Sequence, residues 1–557
     1  MAFYFSKKSK VVKIKLDLKD IILITFFAVL LFIGPATVFD YRVSHEFPYG
    51  YFASDAFQHQ IRAESIKDAG NFRYEASYIS QGFKGTIGRY PPVLYHIAVI
   101  FSYTSRLEVY DAIYFIVLFF SLLSVISIYI LVGDFNKNVA IISLPISIIA
   151  FTMPASIGFS WGHWPSLLAQ SFLILLAWTV SKIDLKKSYL LIGIALTSII
   201  LTHTSEAVFG LIFIFLFFFA KMSKDFGKKQ FITIMISAVI AFVACIYYLI
   251  IFQNTWAKPQ PYSFVVEPIW TGNPGFYIIG FGALLIFMAA GILFSLLKIK
   301  DMHASLVFAF SMLLCGFLNY IGFGLRSFQI RFFWPIYLSV FFGFGVYMLL
   351  KLLIKSLNVW HSATIFAIFS ILLLGPFKLP ILPHYEPSNS AGIMNPYHWK
   401  VLQWISKNTQ ENAKIYFFYG DIYSQDALLR NSKRVSYQVD PDDFIKALQE
   451  RKIKREYITE LPGDGGGGIT KRLGLFTFDY MPDNVAADYS YGPMDICNFD
   501  YYVFDKASKQ EVLAKYNMLL ASELAKNGNF TKAFENEIAI ILKNEKPGGN
   551  CIEERNF

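Results

Sequence analysis

Charged residues are scarce in this chain, and so are cysteines. Asp, Glu, Lys and Arg make up 16% of the 557 residues, whereas 55% are hydrophobic, and there are only 4 Cys beside 57 Phe and 33 Tyr. A soluble globular protein carries about 25% charged residues because its surface has to be polar. This composition excludes a soluble protein and indicates an integral membrane protein.

The sequence lacks the usual signs of three function classes, namely ATP hydrolysis, nucleic-acid binding and membrane transport. No Gly-x-x-x-x-Gly-Lys-Ser/Thr motif occurs, which argues against ATP hydrolysis, and the glycine-rich segment 463–468 is predicted to be a loop. The net charge of +10 is spread over membrane-flanking loops, so it does not indicate nucleic-acid binding. The middles of the apolar segments hold almost no ionisable groups, whereas transporters usually place such groups at mid-membrane.

The apolar segments predict the fold class, an α-helical polytopic membrane protein with about 11 transmembrane helices. A span needs about 20 residues, and the predicted spans are 21–38, 112–132, 139–157, 165–181, 188–202, 207–220, 231–252, 276–297, 305–323, 332–350 and 359–377. We predict a basic N-terminus at 1–20, a multi-span domain at 21–383 that includes an external loop at 39–111, and a soluble extracytoplasmic α/β domain at 384–557. In this last domain the apolar pattern predicts helices at 399–408, 444–451 and 512–527 and strands at 413–419, 501–504 and 538–542.

The orientation of the chain depends on the short apolar segment 90–103. If this segment spans the membrane, the later lysine-rich loops face outward, against the positive-inside rule. If it lies in the interface, the N-terminus and the short inner loops hold 18 Lys and Arg, whereas the short outer loops hold three. We therefore expect an interfacial segment, a cytoplasmic N-terminus, and an extracytoplasmic loop and C-terminal domain.

The external loop contains a predicted helix that has Asp55 at its start. Ser54 suits the N-cap and Gly70 suits the C-terminal stop. Asp55 and His59 are four residues apart and share one face. The general preference for acidic residues at helix N-termini also explains Asp55, because a carboxylate is favoured in the first turn of any helix. The face predicted to rest on the membrane surface holds Phe57, Ile61 and Ile66.

Two short outer turns carry further polar residues. His163 lies between the third and fourth spans, and His203 and Glu206 lie between the fifth and sixth. Such groups at membrane depth bind sugars, orient a base or hold a divalent metal. Trp161 and Trp164 are also explained as interface anchors, and Glu206 as part of a helix cap. A divalent metal bound by Asp55, His59, His163, His203 and Glu206 stays open, because no tight ligand spacing demands one.

The order of these parts resembles the GT-C glycosyltransferases. The resemblance covers the whole architecture, and its most distinctive short motif is Tyr90-Pro91-Pro92 followed by Leu94 and His96. It implies an enzyme that moves a sugar from a polyprenyl-phosphate or dolichyl-phosphate carrier to an extracytoplasmic glycan, lipid or protein acceptor. An acidic residue in the first external loop then acts as the base.

Asp55 is the position that matches this acidic residue, and Asp40 at the end of the first span is the competing acid. We favour Asp55 because a capped helix holds its carboxylate rigidly. For the phosphate, Arg326 and Arg331 lie between the ninth and tenth spans, and Arg89 is a third candidate. A guanidinium group suits phosphate geometry, although Arg331 is also explained as a residue that reaches to the lipid headgroups.

Three alternatives stay open: a carrier or flippase for lipid-linked sugars, a GT-C-like scaffold without activity, and an oligosaccharyltransferase-like enzyme. For the last, segment 488–492 faintly resembles the Trp-Trp-Asp-Tyr-Gly motif of oligosaccharyltransferases but lacks both tryptophans. The extracytoplasmic side is oxidising, so Cys497 and Cys551 are a candidate disulfide.

Overall fold

The computed structural model describes most of the predicted membrane domain and much of the C-terminal domain. The described residues are 2–7, 10–15, 17–38, 40–70, 91–152, 155–222, 227–253, 259–260, 278, 280–297, 303–318, 333–354, 356–376, 378–386, 390–418, 426–438, 470–473, 476–479, 496–507, 511–549 and 551. Several predicted features lie outside these residues: Arg89, Arg326, Arg331, the loop 463–468, the segment 488–492 and a predicted helix at 444–451.

The part of the chain up to residue 374 is mainly helical, as the apolar segments predict. Its α-helices are α1 Leu18–Val38, α2 Ser54–Ala69, α3 Val93–Ser105, α4 Val109–Gly133, α5 Lys137–Ser143, α6 Ile157–Ser160, α7 Trp164–Ser181, α8 Ser188–Ile200, α9 Thr204–Met222, α10 Lys228–Gln253, α11 Leu284–Leu297, α12 Ala304–Gly316, α13 Trp334–Leu353 and α14 Val359–Leu374.

Four described helices are long and apolar enough to cross a membrane, namely Val109–Gly133, Trp164–Ser181, Lys228–Tyr248 and Trp334–Leu353. Six shorter apolar stretches of helix accompany them. Large apolar side chains on these helices face outward, and Leu297 and Leu353 are each 82% exposed. An exposed apolar surface on helices of this length suits contact with lipid. The predicted count of about 11 spans stays a prediction.

The predicted span 139–157 is wrong as a single helix. Helix α5 ends at Ser143, a 3-10 helix follows at Leu144–Phe151, and α6 begins at Ile157. Proline cannot donate the backbone hydrogen bond of an α-helix and its ring clashes with the preceding turn. Pro145 in the first turn of the 3-10 helix therefore gives the physical reason for the change of helix type.

Helix α2 ends where the sequence predicts but starts differently. Gly70 follows it with φ 66°, and its N–H donates to the Lys67 carbonyl. The first helical residue is Ser54, so the N-cap position falls on Ala53, and no side chain caps the helix there. The predicted Ser54 cap is therefore wrong by one position. The next helix, α3, has 13 residues and a length of roughly 20 Å, short of the roughly 30 Å hydrocarbon core.

The C-terminal domain is built around a five-stranded mixed sheet. The helices of this part are α15 Pro396–Asn408, α16 Asp426–Leu429 and α17 Glu511–Lys526. The strands among the described residues are β1 Ala2–Lys7, β2 Lys10–Lys15, β3 Pro259–Gln260, β4 Lys414–Phe417, β5 Val435–Gln438, β6 Thr470–Leu473, β7 Phe476–Asp479, β8 Tyr501–Asp505, β9 Phe530–Glu535 and β10 Ala539–Asn544. The five-stranded sheet has the order β5-β4-β8-β10-β9, whereas β1-β2 and β3-β7-β6 form two small antiparallel sheets.

A disulfide joins Cys497 to Cys551 and ties the end of the chain to this sheet domain. The side chains of Asn527 and Asn529 donate to the Cys551 carbonyl over 3.1 and 3.2 Å. The two remaining cysteines, Cys245 and Cys315, are buried and reduced.

Candidate functional site

Asp55 lies in the first turn of α2 and its side chain is exposed. The first turn of a helix carries partial positive charge, which favours the ionised carboxylate. Because α2 is regular through 16 residues, this carboxylate projects from a defined backbone rather than from a flexible loop. The arrangement can hold a proton acceptor at a fixed place.

The turn that contains Gly162 packs directly on the start of α2. Gly162 has φ 81°, and a Cβ built on it would lie 2.2 Å from the Ala56 nitrogen and 2.6 Å from the Asp55 carbonyl carbon. Only glycine tolerates this approach and this backbone conformation. The adjacent His163 is 8% exposed. The structure therefore brings the turn between the third and fourth predicted spans against Asp55.

The segment 50–52, just before α2, is hydrogen-bonded to two different parts of the protein. The Phe52 N–H donates to the Ser160 carbonyl over 2.8 Å, which connects it to the membrane helices. Gly50 donates to Ala391 over 2.9 Å, and Ile393 donates to Tyr51 over 2.8 Å. These backbone bonds connect the same segment to the start of the C-terminal domain, so the position of Asp55 depends on both parts of the protein.

A cluster of buried rings lies beneath α2. The ring of Trp164 is 5.0 Å from Tyr51, 5.4 Å from Tyr114 and 6.3 Å from His59, measured between centroids. The Trp164 indole donates to the Phe159 carbonyl over 2.7 Å, and the Tyr51 hydroxyl donates to the Tyr110 carbonyl over 2.7 Å. Trp164 and Tyr51 pack edge to face at 72°, and buried rings whose polar atoms are hydrogen-bonded form a rigid support.

His59 belongs to this support rather than to the exposed face of Asp55. It is 6% exposed, and its Nδ1 is 2.8 Å from the Tyr95 hydroxyl. The sequence predicts that Asp55 and His59 share a face, because they are four residues apart. In the structure the first side chain is exposed and the second is buried, since α2 is covered by α3 and by Trp164 on the side of His59.

His203 and Glu206 meet each other inside the membrane domain. His203 Nδ1 contacts a carboxylate oxygen of Glu206, and the Ser166 hydroxyl donates to the other oxygen over 2.5 Å. Glu206 is 0% exposed. This cluster continues through the side chain of Gln170, whose amide oxygen accepts from the Phe333 N–H over 2.6 Å and the Tyr337 hydroxyl over 3.0 Å.

The competing acid, Asp40, sits in a turn between α1 and α2. It has φ 52° and a half-buried position, and the next residue, Tyr41, has φ 60°. No described helix carries Asp40, so its carboxylate lacks the fixed first-turn setting of Asp55. Arg89, Arg326 and Arg331 lie outside the described residues, and their role at a phosphate stays a prediction.

Two polar contacts near α2 were not predicted. Asp111, in the first turn of α4, accepts from the His45 N–H over 2.8 Å, and its other oxygen is 2.8 Å from the His45 ring. The Tyr110 hydroxyl donates to the His45 carbonyl over 2.8 Å. An acid at the very start of an apolar segment is the only sequence sign of this contact, because nothing around His45 marks it as a partner.

The second contact joins α2 to the C-terminal domain through Lys433. Its ammonium is 2.9 Å from Glu64 and 2.7 Å from Asp68. Burial opposes the charged form, but the carboxylates of Glu64 and Asp68 outweigh it and raise the pKa of Lys433 above its ordinary value. Beside this contact lies a cavity of about 340 Å³ between α2, the start of α4 and α15.

Similarity to solved structures decides the fold. No protein-family model and no curated protein matches this chain. It is similar to the oligosaccharyltransferase of Archaeoglobus fulgidus in the apo form, with a TM-score of 0.52 and 13% identity over 89% of this chain and 72% of that one. It is also similar to ArnT from Cupriavidus metallidurans, solved with bound undecaprenyl phosphate, with a TM-score of 0.51 and 10% identity over 93% and 97% of the two chains.

Both neighbours are GT-C membrane glycosyltransferases. This chain has the GT-C fold. The predicted fold class is thereby confirmed, from the helical membrane part to the C-terminal domain. A third similar structure is the archaeal enzyme AglB from Archaeoglobus fulgidus with an inhibitory peptide and a dolichol-phosphate, at a TM-score of 0.50 and 12% identity over 91% and 72% of the chains.

The metal question stays open for this GT-C fold. Within the described ranges, no three His, Cys, Asp or Glu side chains come together as metal ligands. The Archaeoglobus fulgidus oligosaccharyltransferase has also been solved with Zn and sulfate, at a TM-score of 0.50 to this chain. His59, His203 and Glu206 are engaged with protein partners, so a site that uses all five predicted ligands would require these contacts to change.

Proposed function

We propose that this protein transfers a sugar from a polyprenyl-phosphate carrier to an acceptor on the extracytoplasmic side of a membrane, with Asp55 as the general base. The observation that carries the proposal is an exposed carboxylate, fixed at a helix start by the close backbone contact with Gly162, in the predicted external loop of a chain with the GT-C fold. The similar ArnT structure holds undecaprenyl phosphate and the similar AglB structure holds dolichol-phosphate, which supports a lipid-phosphate donor.

The proposed reaction needs a base on one side of the sugar and positive charge on the other. An acceptor hydroxyl loses its proton to Asp55 as its oxygen forms a bond with the anomeric carbon. The bond from that carbon to the phosphate oxygen breaks, and polyprenyl phosphate leaves with the electron pair. A base within hydrogen-bond reach contributes about 10²–10⁴-fold to the rate. Arg326, Arg331 and Arg89 are the proposed cations for the phosphate.

The test is transfer of labelled sugar from polyprenyl-phosphate monosaccharides by the purified full-length protein, with a crude membrane glycan extract as acceptor. Asp55→Asn keeps the size of the side chain and removes its basicity. We expect at least about a hundredfold loss of transfer, with unchanged binding of the lipid donor. Asp40→Asn is the matched variant. If it abolishes transfer and Asp55→Asn does not, Asp40 is the base.

The same assay separates the alternatives. An Asn-x-Ser/Thr peptide as acceptor tests the oligosaccharyltransferase-like reading, which the similarity to AglB supports. If purified protein in vesicles moves the lipid-linked sugar across the bilayer without transferring it, the protein is a carrier. If neither transfer nor translocation occurs with any donor although the donor binds, the scaffold reading is favoured.

A further inference from the structure

The cavity beside α2 is polar and has the volume of a small-molecule site. At about 340 Å³ it falls within the roughly 300–1,000 Å³ of typical ligand pockets. The membrane part contributes Gln60 and Tyr110 to its wall, and the C-terminal domain contributes Trp399, Gln403 and Asn431. The cavity therefore exists only when the two parts of the protein are together.

Gln60 has a hydrogen-bond acceptor that the surrounding protein leaves unused. The side chain is 1% exposed, and its amide oxygen finds no hydrogen-bond partner among the residues that the structure describes. Buried polar atoms in proteins nearly always have a partner, because an unpaired one costs free energy. Gln60 lines the cavity, so a ligand with a hydroxyl or amide donor can pair with this oxygen when the side chain turns it toward the cavity.

The rest of the wall suits a ring that carries hydroxyl groups. Amide side chains such as Gln403 and Asn431 supply both donors and acceptors. Tyr110 and Trp399 pack edge to face, with centroids 5.6 Å apart at 85°, and form an aromatic part of the cavity wall. An aromatic surface beside convergent amides is typical of sites that bind the apolar face of a sugar ring and its hydroxyls together.

The charges around the cavity cancel. The acidic residues are Glu46, Glu64 and Glu108, and the basic residues are Lys400, Lys407 and Lys433. Glu64 and Lys433 already pair over 2.9 Å. With equal numbers of both signs, the site as a whole attracts neither anions nor cations, which separates it from a site for the donor phosphate.

We propose that this cavity binds a neutral, hydroxyl-rich sugar residue of the acceptor, with the Gln60 amide oxygen accepting a hydrogen bond from one of its hydroxyls. That the sugar belongs to the acceptor rests on the proposed function. Gln60 follows Asp55 by five residues on the same helix, a rise of roughly 7–8 Å. Five residues also turn about 140° around the helix axis, so a glycan held in the cavity reaches the proposed base by extending around α2.

The chain offers a matched pair of variants for the test. Gln60→Leu removes the acceptor oxygen at similar volume. Gln58→Leu makes the same change two residues earlier on α2, at a half-buried position outside the cavity wall. Binding of free neutral disaccharides, of both hexose and N-acetylhexosamine type, to the full-length protein in nanodiscs is measured by saturation-transfer difference NMR and calorimetry, beside disaccharides that contain a uronic acid.

We expect neutral disaccharides to bind the wild type and the Gln58→Leu variant, and binding to weaken on the order of tenfold in Gln60→Leu. The melting temperature of Gln60→Leu should stay the same or rise, because the variant removes an unpaired buried acceptor. Equal binding to wild type and Gln60→Leu overturns the proposal. So does a preference for the acidic disaccharides, or a loss of binding in Gln60→Leu that accompanies a fall in melting temperature.

Transfer kinetics separate this proposal from the proposed function. With saturating donor, Gln60→Leu should raise KM for the acceptor and leave kcat largely unchanged, whereas Asp55→Asn should lower kcat. Transfer with an unchanged acceptor KM in Gln60→Leu overturns the sugar site and leaves the transferase intact. Sugar binding that depends on Gln60 in a protein without transfer activity supports the site and overturns the transferase.

Discussion

The backbone of Gly162 contacts the backbone of Asp55 so closely that no other residue fits at position 162. A Cβ on Gly162 would lie 2.6 Å from the Asp55 carbonyl carbon, and its φ of 81° is itself unfavourable for other residues. The place of the proposed base is thus fixed by a turn more than a hundred residues away in the sequence.

Replacing Gly162 by alanine should therefore displace the start of α2. We expect Gly162→Ala to lower sugar transfer at least about tenfold and to destabilise the protein by about 1–3 kcal/mol, since both the strained φ and the contact oppose a side chain. Transfer rate and melting temperature in detergent measure the two effects. Gly528→Ala is the control, because a Cβ there meets nothing within 4 Å. A harmless Gly162→Ala would mean that the turn does not position Asp55.

Removing the ammonium of Lys433 should weaken the connection between α2 and the C-terminal domain. Lys433→Met removes the ammonium that Glu64 and Asp68 contact, and we expect the free energy of unfolding to fall by about 1–2 kcal/mol, between the values for surface and buried pairs. Chemical denaturation of the full-length protein, followed by a signal from its C-terminal domain, measures this change in unfolding free energy. The matched control is Lys532→Met, whose side chain is 61% exposed and pairs with Glu535. Equal effects of the two substitutions would argue against the contact.

The contribution of Lys433 to the stability of the folded protein should be lost at high pH and not at low pH. Its pKa is raised above the ordinary value of 10.5 in the folded protein, so the stabilisation is fully present below that value and is lost as the pH rises through the higher folded pKa. The difference in unfolding free energy between wild type and Lys433→Met should therefore stay constant from about pH 7 to 10 and shrink at higher pH. A difference that shrinks already near neutral pH would contradict this assignment.

The disulfide between Cys497 and Cys551 closes a separation of 54 residues. In the chain-entropy description, a loop of this size stabilises the folded domain by about 4 kcal/mol. The double variant Cys497→Ser/Cys551→Ser should lose up to this amount, measured by denaturation of the C-terminal domain. Alkylation of the unfolded, unreduced wild type should label two thiols, those of Cys245 and Cys315, and a count of four would show that the bond does not form.

The proposed orientation is open to a direct test with two exposed lysines. Lys186→Cys lies in a predicted cytoplasmic loop and Lys532→Cys lies on β9 of the C-terminal domain. A membrane-impermeant thiol reagent added to intact cells should label the second variant and not the first, because the native Cys245 and Cys315 are buried. The reverse pattern would place Asp55 on the cytoplasmic side and remove the basis for an extracytoplasmic acceptor.

Capping residues and local apolar patterns predict many of the helices and strands of this fold. Gly70 ends α2 as a left-handed residue, and the predicted strands near 413–419, 501–504 and 538–542 overlap β4, β8 and β10. Helices predicted at 399–408 and 512–527 match α15 and α17. These elements are predictable because each depends on the apolar pattern or capping residues of its own segment.

The site is less predictable because its neighbours come from distant segments. Asp55 stands out through its place at a helix start, but nothing in the sequence places Gly162 beneath it. The cavity combines Gln60, Tyr110, Trp399 and Lys433, which no spacing rule connects. The burial of His59 follows from packing against Tyr95 and Trp164, and a helical face drawn from sequence alone does not include those partners.

The bridge between Tyr51 and Gly392 has a consequence for protein engineering. Gly392 has φ 88°, and a Cβ there would lie 2.2 Å from the Tyr51 carbonyl oxygen. The two segments therefore pack with their backbones in direct contact. A hybrid protein made by joining the predicted membrane domain to a foreign C-terminal domain at residue 384 would lose that contact. Exchange of the two parts should succeed only when the junction lies beyond residue 393, so that the native partner of Tyr51 stays with the membrane domain.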